Sequence, residues 1–251
     1  MDLIGILAAG FGLAVLARWI QARTTPVALP SPDLDEGAEI AVHVAQHEAN
    51  SRGHALGALH LVYGLLQVEE FQAAVTAADV DLVAAEARVL AALEAASPAS
   101  EPTAADAMVV LARAGQIAYL TRRPGTIVDL WRYLSGSAPA ALVAPTQELH
   151  GAIVFALVHG SEPRVEIAGQ RTVNVVLRND DYTTFEFVTA QLREVFGVAP
   201  AAADGLARET HEQGRAIVGA FPSDQARAKI ETVRARARER AYPLWIGAEP
   251  T

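Results

Sequence analysis

The chain has 251 residues and a formal net charge of −9. That is long enough for one large or two small domains, and the wrong sign for a surface dedicated to nucleic acid. Cysteine is absent, which excludes disulfides, thiolate catalysis and cysteine-ligated metal sites and suits a reducing compartment.

In chain order, the first feature is LIGILAAGFGLAVLA, Leu3 to Ala17, which carries no charge and is followed by Arg18, Trp19, Ile20 and Arg23. A helix from Leu3 to Ile20 covers roughly 27 Å, just short of a ~30 Å hydrocarbon core. Trp19 and Arg18 suit an interface, and only Asp2 precedes the run, where a cleaved signal would carry basic residues. The expectation is a single-pass transmembrane anchor over residues 1–22 with the bulk of the chain cytoplasmic, ahead of a cleaved signal or a buried helix. TTPVALPSPDLDEG, Thr24 to Gly37, reads as a Pro-rich linker within 23–37.

Residues 38–160 read as all-helical. The pattern starts at Ala38, breaks at RGH (Arg52 to His54) and resumes at LHLVYGLLQ (Leu59 to Gln67). An Ala-rich helix follows from about Asp81 to Ala95. SPASEPT is a loop, and Ala104 to Leu134 then repeats the scheme of helix, Gly-containing turn and helix roughly sixty to seventy residues on. QELHGAIVFALV, Gln147 to Val158, predicts one more helix. Residues 161–170 form a connector.

From 171 to 251 the character changes. TVNVVLR alternates and is β-branched, predicting a strand. TTFEFVTAQLREVFG predicts an amphipathic helix ended by Gly197. A second helix has Pro200 near its start and Gly214 just past its end. AIVGAFP predicts a strand, SDQARAKIETVRARARER a helix capped by Ser223 or Asp224, and YPLWIGA a short strand. The expected fold class is α+β: a membrane helix, an all-α repeat domain, then a compact β-α-α-β-α-β domain.

The chemistry concentrates where the first strand ends, at Arg178, Asn179, Asp180 and Asp181. Asx residues favour turns and caps, Thr183 with Glu186 fits a capping box, and His211 suits a helix C-terminus. The same groups also suit a cationic ligand. A free α-amino terminus is an ammonium with three donors, and Asn179, Asp181 and a neutral His211 offer three acceptors.

NVVLRNDDYTTFEFVTAQLREVFG, THEQGRAIVGAFP, Asp224 to Lys229 and YPL closely resemble the ClpS adaptor family, with separated motifs in order at matching spacing between Thr172 and Ile246. The resemblance implies an adaptor, not an enzyme, without cofactor or metal. It implies recognition of N-degrons, substrates with a bulky hydrophobic first residue, and delivery to a ClpA-type AAA+ unfoldase of the ClpP protease. It also implies that Asn179, Asp181 and His211 grip the α-amino group, with Asp180 supporting the turn. Leu177, Thr183, Phe185, Val188, Ala207, Thr210 and Leu244 would then wall the side-chain pocket, and Asp224 and Lys229 would dock the unfoldase. Phe185 and Ala207 stand where methionine is common in the family, and Thr210 where valine is. The upstream region resembles, less closely, the Clp N-terminal repeat domain, through Gly53-His54, His60-Leu61 and Leu65-Leu66. Since ClpS docks on such a domain, the fusion suggests packing of the two in cis.

Two other readings stand beside this one. His43 and His47 lie one helical turn apart, with Glu48, His54 and His60 nearby, a spacing open to metal, but Val44 follows His43, so HExxH is absent. Alternatively the chain is a non-degradative membrane scaffold whose ClpS-like pocket no longer binds N-termini.

Overall fold

The computed structural model describes residues 33–96, 102–161 and 171–251. The first two stretches are helical: α1 (Glu36–Arg52), α2 (Ala58–Leu66), α3 (Glu69–Ala77), α4 (Leu82–Ala95), α5 (Pro102–Thr121), α6 (Ile127–Tyr133), α7 (Ala138–Ala141) and α8 (Gln147–His159). The third holds β1 (Thr172–Arg178), α9 (Phe185–Glu194), α10 (Pro200–Gln213), β2 (Arg215–Pro222), α11 (Ser223–Glu239) and β3 (Trp245–Pro250).

Helix α1 begins at Asp35, whose carboxylate accepts from the Ala38 amide at 2.9 Å, and stops at Gly53, which adopts φ +68° at no side-chain cost. Its buried face is Ala38, Ala41, Ala45 and Ala49. Small side chains there let α2 approach closely, so a Cβ on Gly64 would sit 2.0 Å from the Ala41 carbonyl oxygen. The two helix–turn–helix units repeat a capping device. The Gly57 amide donates to His60 Nδ1 at 3.1 Å, and the Thr126 amide donates to Asp129 Oδ2 at 3.0 Å. One core cluster joins both units through Leu61, Leu65, Phe71, Leu93, Leu130 and Trp131.

The sheet is antiparallel in the order β2-β1-β3. Alternation along β1 puts Val173, Val175 and Leu177 into a core with Phe187, Leu192, Ile230 and Val233. Val176 faces the other way and packs with Trp245 and with Phe155 of α8.

The two halves meet along α8, α6 and the end of α11. Gly151 lies against the α11 backbone, where a Cβ would come within 2.1 Å of the Arg238 carbonyl oxygen. Arg132 Nε donates to the Ala241 carbonyl at 3.1 Å, and Arg238 pairs with Glu148 at 3.3 Å. His159 Nε2 donates to the Pro243 carbonyl at 2.8 Å, and burial pushes the His159 imidazole down from its usual range.

Three expectations need correction. The membrane-anchored placement has no counterpart in the structure: among the described residues no helix is long and apolar enough to cross a membrane, and the span expected over residues 1–22 lies outside those residues. Helix α9 is capped by Thr184, which accepts from the Phe187 amide at 3.3 Å, not by a Thr183–Glu186 box, because the Thr183 hydroxyl is spent on Asp180. Helix α11 has Pro222 at its N-cap, which makes no side-chain cap bond, and Ser223 and Asp224 both lie inside the helix.

Candidate functional site

β1 ends where the chain must turn into α9, and Asp180 builds that turn. Its Oδ1 accepts from the amides of Tyr182 and Thr183 at 2.8 and 2.6 Å, and its Oδ2 accepts from the Thr183 hydroxyl at 2.8 Å. This Asx turn consumes the Asp180 acceptors and leaves Asp181 exposed beside it. The Asn179 amide donates to the Gly214 carbonyl at 2.9 Å. That bond ties the strand end to the C-terminus of α10, where Gly214 adopts φ +79° and His211 occupies the last turn.

These residues rim a cavity of about 580 Å³ lined by Asn179, Asp180, Asp181, Thr183, Phe185, Val188, Ala207, Thr210, His211 and Leu244. Its polar acceptors gather around the Asx turn and the end of α10. Its apolar wall includes the buried residues Val188, Ala207 and Leu244 together with the exposed Phe185. Thr210 is 5% exposed, and its hydroxyl donates to the Leu206 carbonyl at 2.8 Å. A hydroxyl satisfied one turn back leaves the wall without a competing donor, so threonine here acts much as valine would. Leu177 does not line the cavity; it is buried in the sheet core. Asp224 is exposed on α11 and away from the cavity lining. Lys229 donates through Nζ to the Val195 carbonyl and lies over the rings of Phe196 and Phe221.

The cavity has further walls: Arg178, at the strand end already singled out but not among the expected pocket residues, and Thr121 and Arg123, to which the sequence alone did not point. Thr121 and Arg123 come from the helical half, at the turn between α5 and α6. Arg123 grips Asp129 with two nitrogens, at 2.8 and 3.2 Å, and lies 4.8 Å from the Tyr182 ring centroid. That hydrogen-bonded pair is the main reason the Arg123 guanidinium is held above its usual range, and Asp181 adds to it. Tyr182, inside the turn sequence, has its hydroxyl 3.1 Å from Thr126 Oγ1 and is pushed up by burial. Arg178 stacks on Trp245 at 4.0 Å and faces Glu249 at 3.7 Å.

Among the described residues no group of three histidines or carboxylates is placed to hold a metal. Glu48 is instead paired with Arg52 at 2.6 Å, and His54 meets His60 at 3.4 Å. The geometry suits a small cationic group with an apolar appendage, because exposed acceptors adjoin a concave apolar wall.

A family model described as ATP-dependent Clp protease adaptor protein ClpS matches residues 168–247. The ATP-dependent Clp protease adapter protein ClpS of Desulfatibacillum aliphaticivorans is 36% identical over 90 residues, which are 36% of this chain and 86% of that protein. The chain belongs to the ClpS adaptor family. The ClpS of Acetivibrio thermocellus is 38% identical over 89 residues, 36% of this chain and 90% of its own length. A solved structure of Agrobacterium tumefaciens ClpS2 bound to L-phenylalaninamide is 32% identical, covering 32% of this chain and 98% of that one, with a TM-score of 0.31. As a ClpS-family protein the chain is an adaptor of Clp proteolysis and not an enzyme.

Proposed function

We propose that the cavity is a receptor for protein N-termini whose first residue is bulky and hydrophobic, and that the adaptor delivers those proteins to a ClpA-type AAA+ unfoldase feeding ClpP. One observation carries the reading: Asn179, Asp181 and His211 share a cavity with Phe185, Val188, Ala207, Thr210 and Leu244. An α-ammonium at the polar end finds a carboxylate, an amide oxygen and an imidazole. Its side chain then extends along the apolar wall and is removed from water, which is worth about 1.5–3 kcal/mol for a large apolar group. Asp181 and His211 are exposed, so selectivity for the free amine comes from charge and matched donors more than from buried acceptors left unpaired.

In this reading the helical half is a Clp N-like repeat unit. The paired capping positions His60 and Asp129 support that, being the same device in two successive helix–turn–helix units. Asp224 and Lys229 are the proposed unfoldase contacts. They lie apart from the contacts that join the two halves, which engage Tyr182, Arg238, Ala241 and Pro243. Packing of the helical half in cis therefore leaves Asp224 exposed.

The test is a reconstituted degradation assay with a ClpA-type unfoldase, ClpP and reporters that begin with Phe or Ala. Faster turnover of the Phe reporter, dependent on this adaptor and reduced by Asp224→Ala with Lys229→Ala, is the expected result. Equal turnover of both reporters with and without the adaptor contradicts it.

A further inference from the structure

The proposed site contains a cation that the other half of the chain supplies. Thr121 and Arg123 line the same cavity as Asn179, Asp181 and His211. Arg123 is fixed in place by its two bonds to Asp129, a residue 2% exposed, and by the Tyr182 ring at 4.8 Å. Its partner carboxylate is buried, so the pole of this ion pair that reaches the cavity is the guanidinium. The other cationic wall residue, Arg178, lies against β3, over Trp245 at 4.0 Å and 3.7 Å from Glu249. Arg123 and Asp181 line the same cavity, so the guanidinium belongs to the surroundings of a ligand whose amine lies at Asp181.

We infer that Arg123 is a specificity-determining residue that favours ligands with an acidic side chain at the second position. The inference rests on the N-terminus reading of the cavity. Successive Cα atoms lie about 3.8 Å apart, so with the first amine at Asp181 the second residue leaves the cavity past its rim. A carboxylate there meets a guanidinium already oriented by Asp129, with little further side-chain entropy to lose. A lysine or arginine at the same place meets repulsion.

The test uses the full chain and peptides beginning Phe-Glu, Phe-Gln or Phe-Lys, labelled at the C-terminus and read by fluorescence anisotropy at low salt. The expected order is Glu, then Gln, then Lys. The Glu-to-Gln ratio should be about twofold to fivefold, as suits a partly exposed ion pair, and should shrink with added salt. Arg123→Gln should bring the ratio to one. Thr121→Glu, an exposed substitution on the same rim, should lower or invert it, and shows whether the second position feels charge on this rim if Arg123→Gln fails to fold. Equal binding of the Glu and Gln peptides by the unaltered chain, or a ratio unmoved by Thr121→Glu, overturns the inference while leaving the N-terminus receptor standing. Absence of binding by all three peptides overturns the receptor and the inference together.

Discussion

Gly151→Ala probes whether the two halves act as one body. A Cβ at this position would lie 2.1 Å from the Arg238 carbonyl oxygen and 2.6 Å from the Arg238 Cα. Both contacts are to helix backbone, so no side-chain rotation relieves them. A carbon–oxygen contact relaxes only near 3.2 Å or beyond, so α8 and α11 must separate by roughly 1 Å, and overpacking of this kind costs about 1–3 kcal/mol. The same shift stretches the bond between Thr126 and the Tyr182 hydroxyl, now 3.1 Å, and the Arg238–Glu148 pair at 3.3 Å. Urea denaturation should therefore show a lower midpoint, and limited proteolysis should cleave between the halves more readily. The same variant should weaken any preference at the second ligand position, because Thr121 and Arg123 reach the cavity only while the halves stay packed. Unchanged denaturation and proteolysis would refute the reasoning and show that the halves do not depend on this contact.

Three other perturbations separate the parts of the account. Asp180→Ala removes three hydrogen bonds from the turn; a loss of about 2 kcal/mol in urea melts and a roughly tenfold or greater fall in N-terminal peptide affinity are expected, and unchanged affinity would show that the turn does not orient Asn179 and Asp181. Burial holds the His150 imidazole down at about 4, stacked on Trp131 at 4.3 Å. An unfolded histidine titrates near 6.5, so the unfolded state binds the extra proton first; stability is full above that pH and falls between about 6.5 and 4, by about 3 kcal/mol in all. His150→Phe should flatten this part of the stability–pH curve, and an equally steep curve in the variant would exclude His150 as its source. Phe185→Met exchanges a stiff wall for a flexible one; Phe-initial peptides should still bind, with the ranking of Leu, Tyr and Trp altered, and loss of Phe binding with no gain elsewhere would contradict the assignment of Phe185 to the side-chain wall.

Local chemistry made much of the C-terminal fold legible. Alternation marked Thr172–Arg178 as a strand, and Pro200 and Gly214 bounded α10, because strand pleating, proline at a first helical turn and glycine in left-handed backbone act within a few residues. The ordered Asn179, Asp181 and His211 also came together in one cavity, through the bond from the Asn179 amide to the Gly214 carbonyl. Two short helices were not anticipated. EEFQAAVTA forms α3 without a side-chain cap, so tertiary packing decided it, whereas α7 is a four-residue turn started by the local signals of a Ser137 cap and Pro139. Leu177 was expected in the pocket, but strand alternation turns it to the sheet core beside Val175. Thr121 and Arg123 gave no signal, because TRRPGT reads as an inter-helix turn. Only the docking of α8 on α11 brings that turn to a site more than fifty residues further along the chain, and sequence spacing does not encode that approach.

The most direct measurement of the central claim is anisotropy with the full chain and peptides that differ only at their first residue: Phe, Leu, Tyr, Trp, Ala and acetylated Phe. The account predicts binding of the four bulky free termini, with Ala and acetyl-Phe at least roughly tenfold weaker. It also predicts loss of that binding when Asn179→Ala is combined with Asp181→Ala. Equal binding of free and acetylated Phe, or no binding at any first residue, would contradict it, and Asn179, Asp180 and Asp181 would then serve only the turn that starts α9.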